Sequence, residues 1–155
     1  MITAGIDVGL SGAIAFFDGA SLLNVYDMPK KPTPWGKGNM VDSKELAKLI
    51  VHYKPKKAVV ERVHAMTGQG VSSMFSFGMS YQAVLSVLDV LDCPYDLVMP
   101  RAWQKHIGIV GKSGDGLKAV DIVEKLYPDA PIRGRMGGLK DGRCDAILIG
   151  LYSQK

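Results

Sequence analysis

The sequence predicts an α/β protein built on a mixed five-stranded sheet, part antiparallel meander and part parallel, with helices on both faces. Three observations carry that expectation. Apolar runs at residues 2–7, 12–18 and 21–27 follow one another with only Gly9 to Gly12 and Asp18 to Gly19 between them, which leaves room for tight turns and nothing else. After residue 40 the pattern changes, and short strand-length runs alternate with helical ones. The chain has 155 residues of which 47% are hydrophobic, enough for one domain, residues 1–155, with an ordinary core.

Each element has its own signal. The first three runs form the meander. Residues 29–42, PKKPTPWGKGNMVD, hold too much Pro and Gly for regular structure and read as a basic loop around Trp35. Ser43 to Tyr53 carries an apolar stripe of Leu46, Leu49 and Ile50, with Asp42 or Ser43 as the cap and Pro55 beyond the end. KAVVE at 57–61 is a short apolar strand ending in a carboxylate. Residues 70–91 form a helix with so little polar surface that burial on more than one side is expected. YDLVM at 95–99 is the fifth strand, and Pro100 opens the helix PRAWQKHI. The glycine-rich GKSGDG leads to helix 117–127, closed by Pro128, and a basic loop over 128–140 precedes a last helix that begins near Asp141.

Composition narrows the function classes. No stretch approaches the ~20 apolar residues of a membrane span, and no basic segment precedes an apolar signal core, so a cytoplasmic protein without membrane partners is expected. Cys93 and Cys144 lack metal-ligand spacing and read as reduced structural thiols. The formal charge of +4 permits a polyanionic partner without demanding one. Its distribution says more. Lys30, Lys31 and Lys37 share one loop, Lys54, Lys56 and Lys57 precede a strand, Lys112 and Lys118 flank the glycine-rich stretch, and Arg133, Arg135, Lys140 and Arg143 crowd another connection. Each cluster falls where a phosphate backbone could reach it.

Chemistry enters with AGIDVGLSGA, where Asp7 ends an apolar strand just before a run of glycines. A carboxylate there costs several kcal/mol unless something pairs with it. It could cap the turn, it could belong to a phosphate-binding glycine loop of the sugar-kinase and actin type, or it could hold a divalent cation. The kinase and actin reading is weakened because such proteins close two domains over their nucleotide, and 155 residues supply one; no nucleotide cofactor is expected. Glu61 ends the fourth strand, which in the parallel portion would lie beside the first, so both carboxylates would meet at adjacent carboxyl ends, where open α/β sheets place their sites. Asp141 and Asp145 add two more at i and i+4 of the final helix, where helix capping competes as an explanation. Converging carboxylates repel until some take up protons, unless a cation intervenes. Hard oxygen ligands without His/Cys spacing favour Mg²⁺ or Mn²⁺, and two such ions about 4 Å apart can activate a water and stabilise a leaving oxygen.

Three segments, GIDVGLSGAIA, AVVERVHAM and DGRCDAILIG, in that order, resemble the RuvC-like Holliday junction resolvases of the ribonuclease H-like superfamily, particularly the shorter versions carried by bacteriophages. The resemblance implies a ribonuclease H-like fold and a homodimer that binds four-way DNA junctions and nicks two opposed strands symmetrically with two Mg²⁺ or Mn²⁺ ions per protomer. For a phage-encoded protein the site of action would be the bacterial host cytoplasm. The resemblance also implies that Asp7, Glu61 and Asp145 are catalytic metal ligands. Relatives carry a further aspartate three residues before the last one. Gly142 stands there in this chain, and Asp141, four before, is the substitute. Val8 replaces a frequent proline, and His64 stands where many bacterial members carry an aromatic that enters the junction centre. Lys105 and Lys118 fall where the family places basic residues near the scissile phosphate, with Lys118 the catalytic candidate. Lys112, Arg135 and Arg143 join them as expected DNA contacts. A catalytically silent DNA-binding protein of the same fold and an RNA-directed nuclease of the superfamily are the alternative readings.

Overall fold

The computed structural model describes residues 1–65, 67–109 and 118–154. Strands β1 (Ile2–Asp7), β2 (Ala13–Asp18) and β3 (Ser21–Asp27) form the antiparallel meander, while β6 (Lys57–Glu61) and β7 (Tyr95–Val98) extend it in parallel. The order across the sheet is β3-β2-β1-β6-β7, the mixed five-stranded arrangement of a ribonuclease H-like fold. The register Ile6↔Val60 sets the next residues, Asp7 and Glu61, level with each other on neighbouring parallel strands.

Alternation along the strands separates two cores. Ala4, Ile6, Ile14, Phe16 and Val60 face α1 (Ser43–Tyr53) and α2 (Val71–Val90), packing with Leu46, Ile50, Val84 and Leu88. Ala13, Ala15, Phe17 and Val59 face the other way, against α3 (Pro100–Ile107), α4 (Ala119–Leu126) and α5 (Asp141–Tyr152). Helices therefore cover both faces.

Three expectations need correction. Within residues 29–42, Lys30–Pro32 (β4) and Asn39–Val41 (β5) pair as a small antiparallel hairpin. Its prolines stand at strand ends and in the turn, where no ladder donor is missed, and Thr33 closes that turn by accepting from Gly36 N–H and donating to Gly38 O. Second, α2 is not buried on several sides by its own chain. Ser80, Val84, Val87 and Leu88 sit against the sheet, whereas Val71, Phe75 and Val90 are exposed, because among the described residues only β5 and α1 pack along the helix beside the sheet. Third, α2 is long and apolar enough, over 20 residues, to qualify as a membrane span by length and composition alone, contrary to the reading that nothing approached one.

The basic clusters are also partly neutralised within the fold. Lys57 pairs with Asp96 and Arg133 with Glu124, while Arg143 and Lys140 both lie against Asp27.

Candidate active site at the strand ends

The site is positioned by a seam at which α5 lies directly on β1 and the β1–β2 turn, with glycine at the points of closest approach. A Cβ on Gly5 would lie 2.2 Å from Gly150 N and 2.4 Å from Ala146 O, and one on Gly142 would lie 2.2 Å from Ser11 O. Helix backbone thus rests directly on strand and turn backbone. This explains why position 142 cannot carry the aspartate that the resemblance would place there. A side chain at that position would collide with the β1–β2 turn, and even its first carbon would stand 3.2 Å from Asp7 Oδ2.

The helix start is not capped by Asp141. Lys140 occupies the N-cap position without a side-chain capping bond, Asp141 is the first helical residue, and Asp145 lies one turn further in. Both aspartates line the same cleft as Asp7, a space of about 720 Å³. Across it stands the amino-terminal half of α2, which contributes Ser72, Ser73 and Ser76, while Phe77 packs against the backbone of Gly9. Serines and carboxylates therefore line the same opening.

Burial and mutual repulsion act strongly on Asp7 and Asp145, and burial on Glu61. Asp7 is pushed from the ordinary 3.8 up to about 8, first by burial and then by the charges of Asp145 and Glu61. Asp145 is pushed up to about 6 by burial, Glu61 and Asp141. Glu61 is raised by burial, a shift that the indole of Trp103 opposes by donating from Nε1 to Glu61 Oε1 at 2.8 Å. Cys144 is raised to about 11, chiefly by burial, and Cys93 is raised by the same cause; both are free and buried, as expected of reduced structural thiols. Among the described residues, no three His, Cys, Asp or Glu side chains close into a preformed metal cage. The donor set nevertheless fits a hard cation, since it offers carboxylate oxygens alone and these disfavour one another's ionisation without positive charge between them.

The structure thus brings Asp7, Glu61, Asp141 and Asp145 into one electrostatic neighbourhood. The basic candidates are placed elsewhere. His64 is exposed in the segment after β6, Lys105 lies in the last turn of α3, and Lys118 precedes α4, donating its backbone N–H to Asp121. Lys112 lies outside the described residues. Arg143 grips Asp27 with two nitrogens, at 2.7 and 3.0 Å, and bonds Pro131 O with a third, so its guanidinium ties α5 to the end of β3. Arg135 is exposed on a small hairpin in which Arg133 bridges Leu139.

Sequence reasoning missed Trp103, which is fully buried and 42 residues from the carboxylate it contacts, a pairing no local pattern reveals. It also missed the serine wall. There a signal existed, because Ser72, Ser73 and Ser76 share one flank of an otherwise apolar helix.

No protein-family model matches the chain, and no curated protein matches it. Solved structures do. The chain is similar to the Thermus thermophilus RuvC in complex with Holliday junction substrate, with a TM-score of 0.64 at 16% identity over 97% of this chain and 90% of that one. A second Thermus thermophilus RuvC structure gives 0.61 at 19% identity, covering 97% and 92%. The yeast mitochondrial Holliday junction resolvase gives 0.54 at 14% identity, covering 96% and 75%. At these identities the likeness is one of architecture: the chain has the fold of the RuvC-type resolvases along nearly its whole described length.

Proposed function

We propose that this protein is a metal-dependent, structure-selective endodeoxyribonuclease that resolves four-way and other branched DNA by paired nicks. The observation that carries the reading is the gathering of Asp7, Asp141 and Asp145 on one cleft, with Glu61 acting on Asp7 and Asp145 from the adjacent strand end, in a fold shared with RuvC-type resolvases. Asp7, Glu61, Asp141 and Asp145 would hold Mg²⁺ or Mn²⁺, two ions per protomer. When bound, those ions would supply the charge that lowers the pKa of an attacking water and stabilises the leaving 3′ oxygen.

The chain's own residues would do the rest. With the cations bound, ionised carboxylates would stand at the ends of β1 and β6 and at the start of α5, which glycine lets lie close against β1 and its turn. Ser72, Ser73 and Ser76 can donate to non-bridging phosphate oxygens and orient the strand across the cleft. Lys105, Lys118, Arg135 and His64 are proposed as DNA contacts outside it, and Lys112 as a further DNA contact on the sequence alone, with Lys118 also a candidate for charge stabilisation near the scissile phosphate. Arg143, already committed to Asp27, supports this surface rather than extending it.

Two strands must be cut, and one protomer carries one such cleft. We propose a homodimer formed through the outer face of α2, where Val71, Phe75 and Met79 border an apolar groove of about 670 Å³ shared with Trp35 and Met40. One feature favours the second reading, a DNA-binding protein without catalysis: the absence of a preformed metal cage among the described residues. Incubation with labelled four-way junction, linear duplex and RNA–DNA hybrid, each with Mg²⁺, Mn²⁺ or EDTA, decides between them. Metal-dependent paired nicks in the junction support the nuclease. Binding without cleavage under every condition selects the silent protein, and preferential cutting of the hybrid selects an RNA-directed enzyme.

A further inference from the structure

Glu61 carries three side-chain torsions and sits half-buried at the last position of β6. One hydrogen bond constrains it. The indole of Trp103 donates to Oε1 at 2.8 Å, and Oε2 has no hydrogen-bond partner among the described residues. Trp103 is itself fixed. It is 1% exposed, opens into the core with Val59, Val98, Ile122 and Ile147, and lies in α3, a helix started by Pro100 and closed by Gly108 in the left-handed conformation. An indole N–H is a donor and nothing more, so it can satisfy a carboxylate but cannot compete with it for a cation.

We propose that Trp103 is the positioning residue of the site: by occupying Oε1 of Glu61 it selects one carboxylate orientation and leaves Oε2 as the oxygen offered to a divalent cation. This rests on the reading of Glu61 as a metal ligand. Partners of this kind commonly govern metal affinity or activity by about 10–100-fold.

The test begins with Mn²⁺ binding followed by electron paramagnetic resonance, which needs no turnover. Trp103→Phe keeps an aromatic ring in the core and removes the donor. The expected result is a Kd for Mn²⁺ about 10–100-fold weaker, with kcat on a four-way junction reduced, KM for the junction unchanged, and the deficit shrinking as Mn²⁺ is raised. Since the chain has two tryptophans, Trp35→Phe leaves Trp103 as the single emitter. Its emission should then shift on titration with Mg²⁺, which is diamagnetic and acts through the hydrogen bond rather than by quenching. This arm decides even where Trp103→Phe does not fold. An unchanged Mn²⁺ Kd in folded Trp103→Phe, or Trp103 emission indifferent to saturating Mg²⁺, would overturn the assignment while leaving the metal reading intact. Wild type that binds no Mn²⁺ at all would overturn both.

Discussion

Asp7 is the residue on which the chemistry and the stability of this protein meet. Its folded pKa of about 8, against an ordinary 3.8, means that the native state holds a proton that the unfolded chain releases. A raised acid supports the fold fully below its unfolded value and loses that support as pH climbs through the folded one. The cation-free protein is therefore expected to lose stability between about pH 4 and pH 8, with Asp145 adding a contribution of the same sign up to about 6. Asp7→Asn should flatten this profile. At pH 8 in EDTA it should raise Tm by several degrees, from a gain of roughly 2 kcal/mol at about 2–4 °C per kcal/mol for a chain of this size, while abolishing nicking and leaving junction binding in place. Melts at pH 5 and pH 8 with and without Mg²⁺ measure the first effect and gel-shift and cleavage assays the second; wild-type cleavage by Asp7→Asn would remove it from the ligand set. Gly142 makes the opposite kind of prediction. Because its Cβ would stand 2.2 Å from a backbone oxygen, Gly142→Ala should destabilise by about 1–3 kcal/mol, whatever the pH, as an overpacked site does. Urea unfolding would show it.

At the scale of elements, α5 and the hairpin before it separate two roles. Asp141 and Asp145 share one face of α5 and one cleft, yet Asp145 is the more buried and feels Glu61 directly. Asp145→Asn is expected to cost orders of magnitude in cleavage rate with normal junction binding, and Asp141→Asn less; the reverse order in single-turnover assays would make Asp141 the principal ligand. The hairpin acts through charge. Gly134 and Gly138 close it by a 2.8 Å backbone bond, and Gly137 adopts φ 80°, so Arg135 and Met136 are held at its apex. Arg135→Ala should weaken junction binding evenly across sequences and lower the salt-dependence slope by about one. Much of this was legible beforehand. The meander, the parallel strands and the helix starts at Ser43 and Pro100 follow from turn chemistry and periodicity, which are local signals. The β4–β5 hairpin was not, because its prolines look like strand breakers until the pairing shows them at the ends. The surplus of apolar surface on α2 was legible, since it exceeds what one sheet can cover, but hydrophobicity reports only that a surface wants covering, not whether the same chain covers it.

For the whole molecule, that uncovered surface is the point at which assembly can be tested. Phe75→Glu on the outer face of α2 should give a monomer that nicks singly or not at all while binding Mn²⁺ normally. Sedimentation of the wild type comes first, since a mass near 16.7 kDa at micromolar concentration alongside paired incisions would exclude the dimer. The four carboxylates were readable as a group because each breaks an apolar pattern, whereas Trp103 and the glycine seam were not, since both arise from contacts between distant segments. The seam has a consequence for how such a protein can change over generations. Where β1 and its turn meet α5 through Gly5, Gly142 and the main chain of Gly150, the distance of Asp7 from the acids of α5 is set by main-chain thickness rather than by the volumes of intervening side chains. Substitutions in the core beneath α1 and α2 can then accumulate, shift and compensate one another without altering the spacing at the strand ends. A lineage could rewrite most of that interior and keep the same working gap, and a library randomised there should retain active members at a frequency that one randomised along the seam could not match.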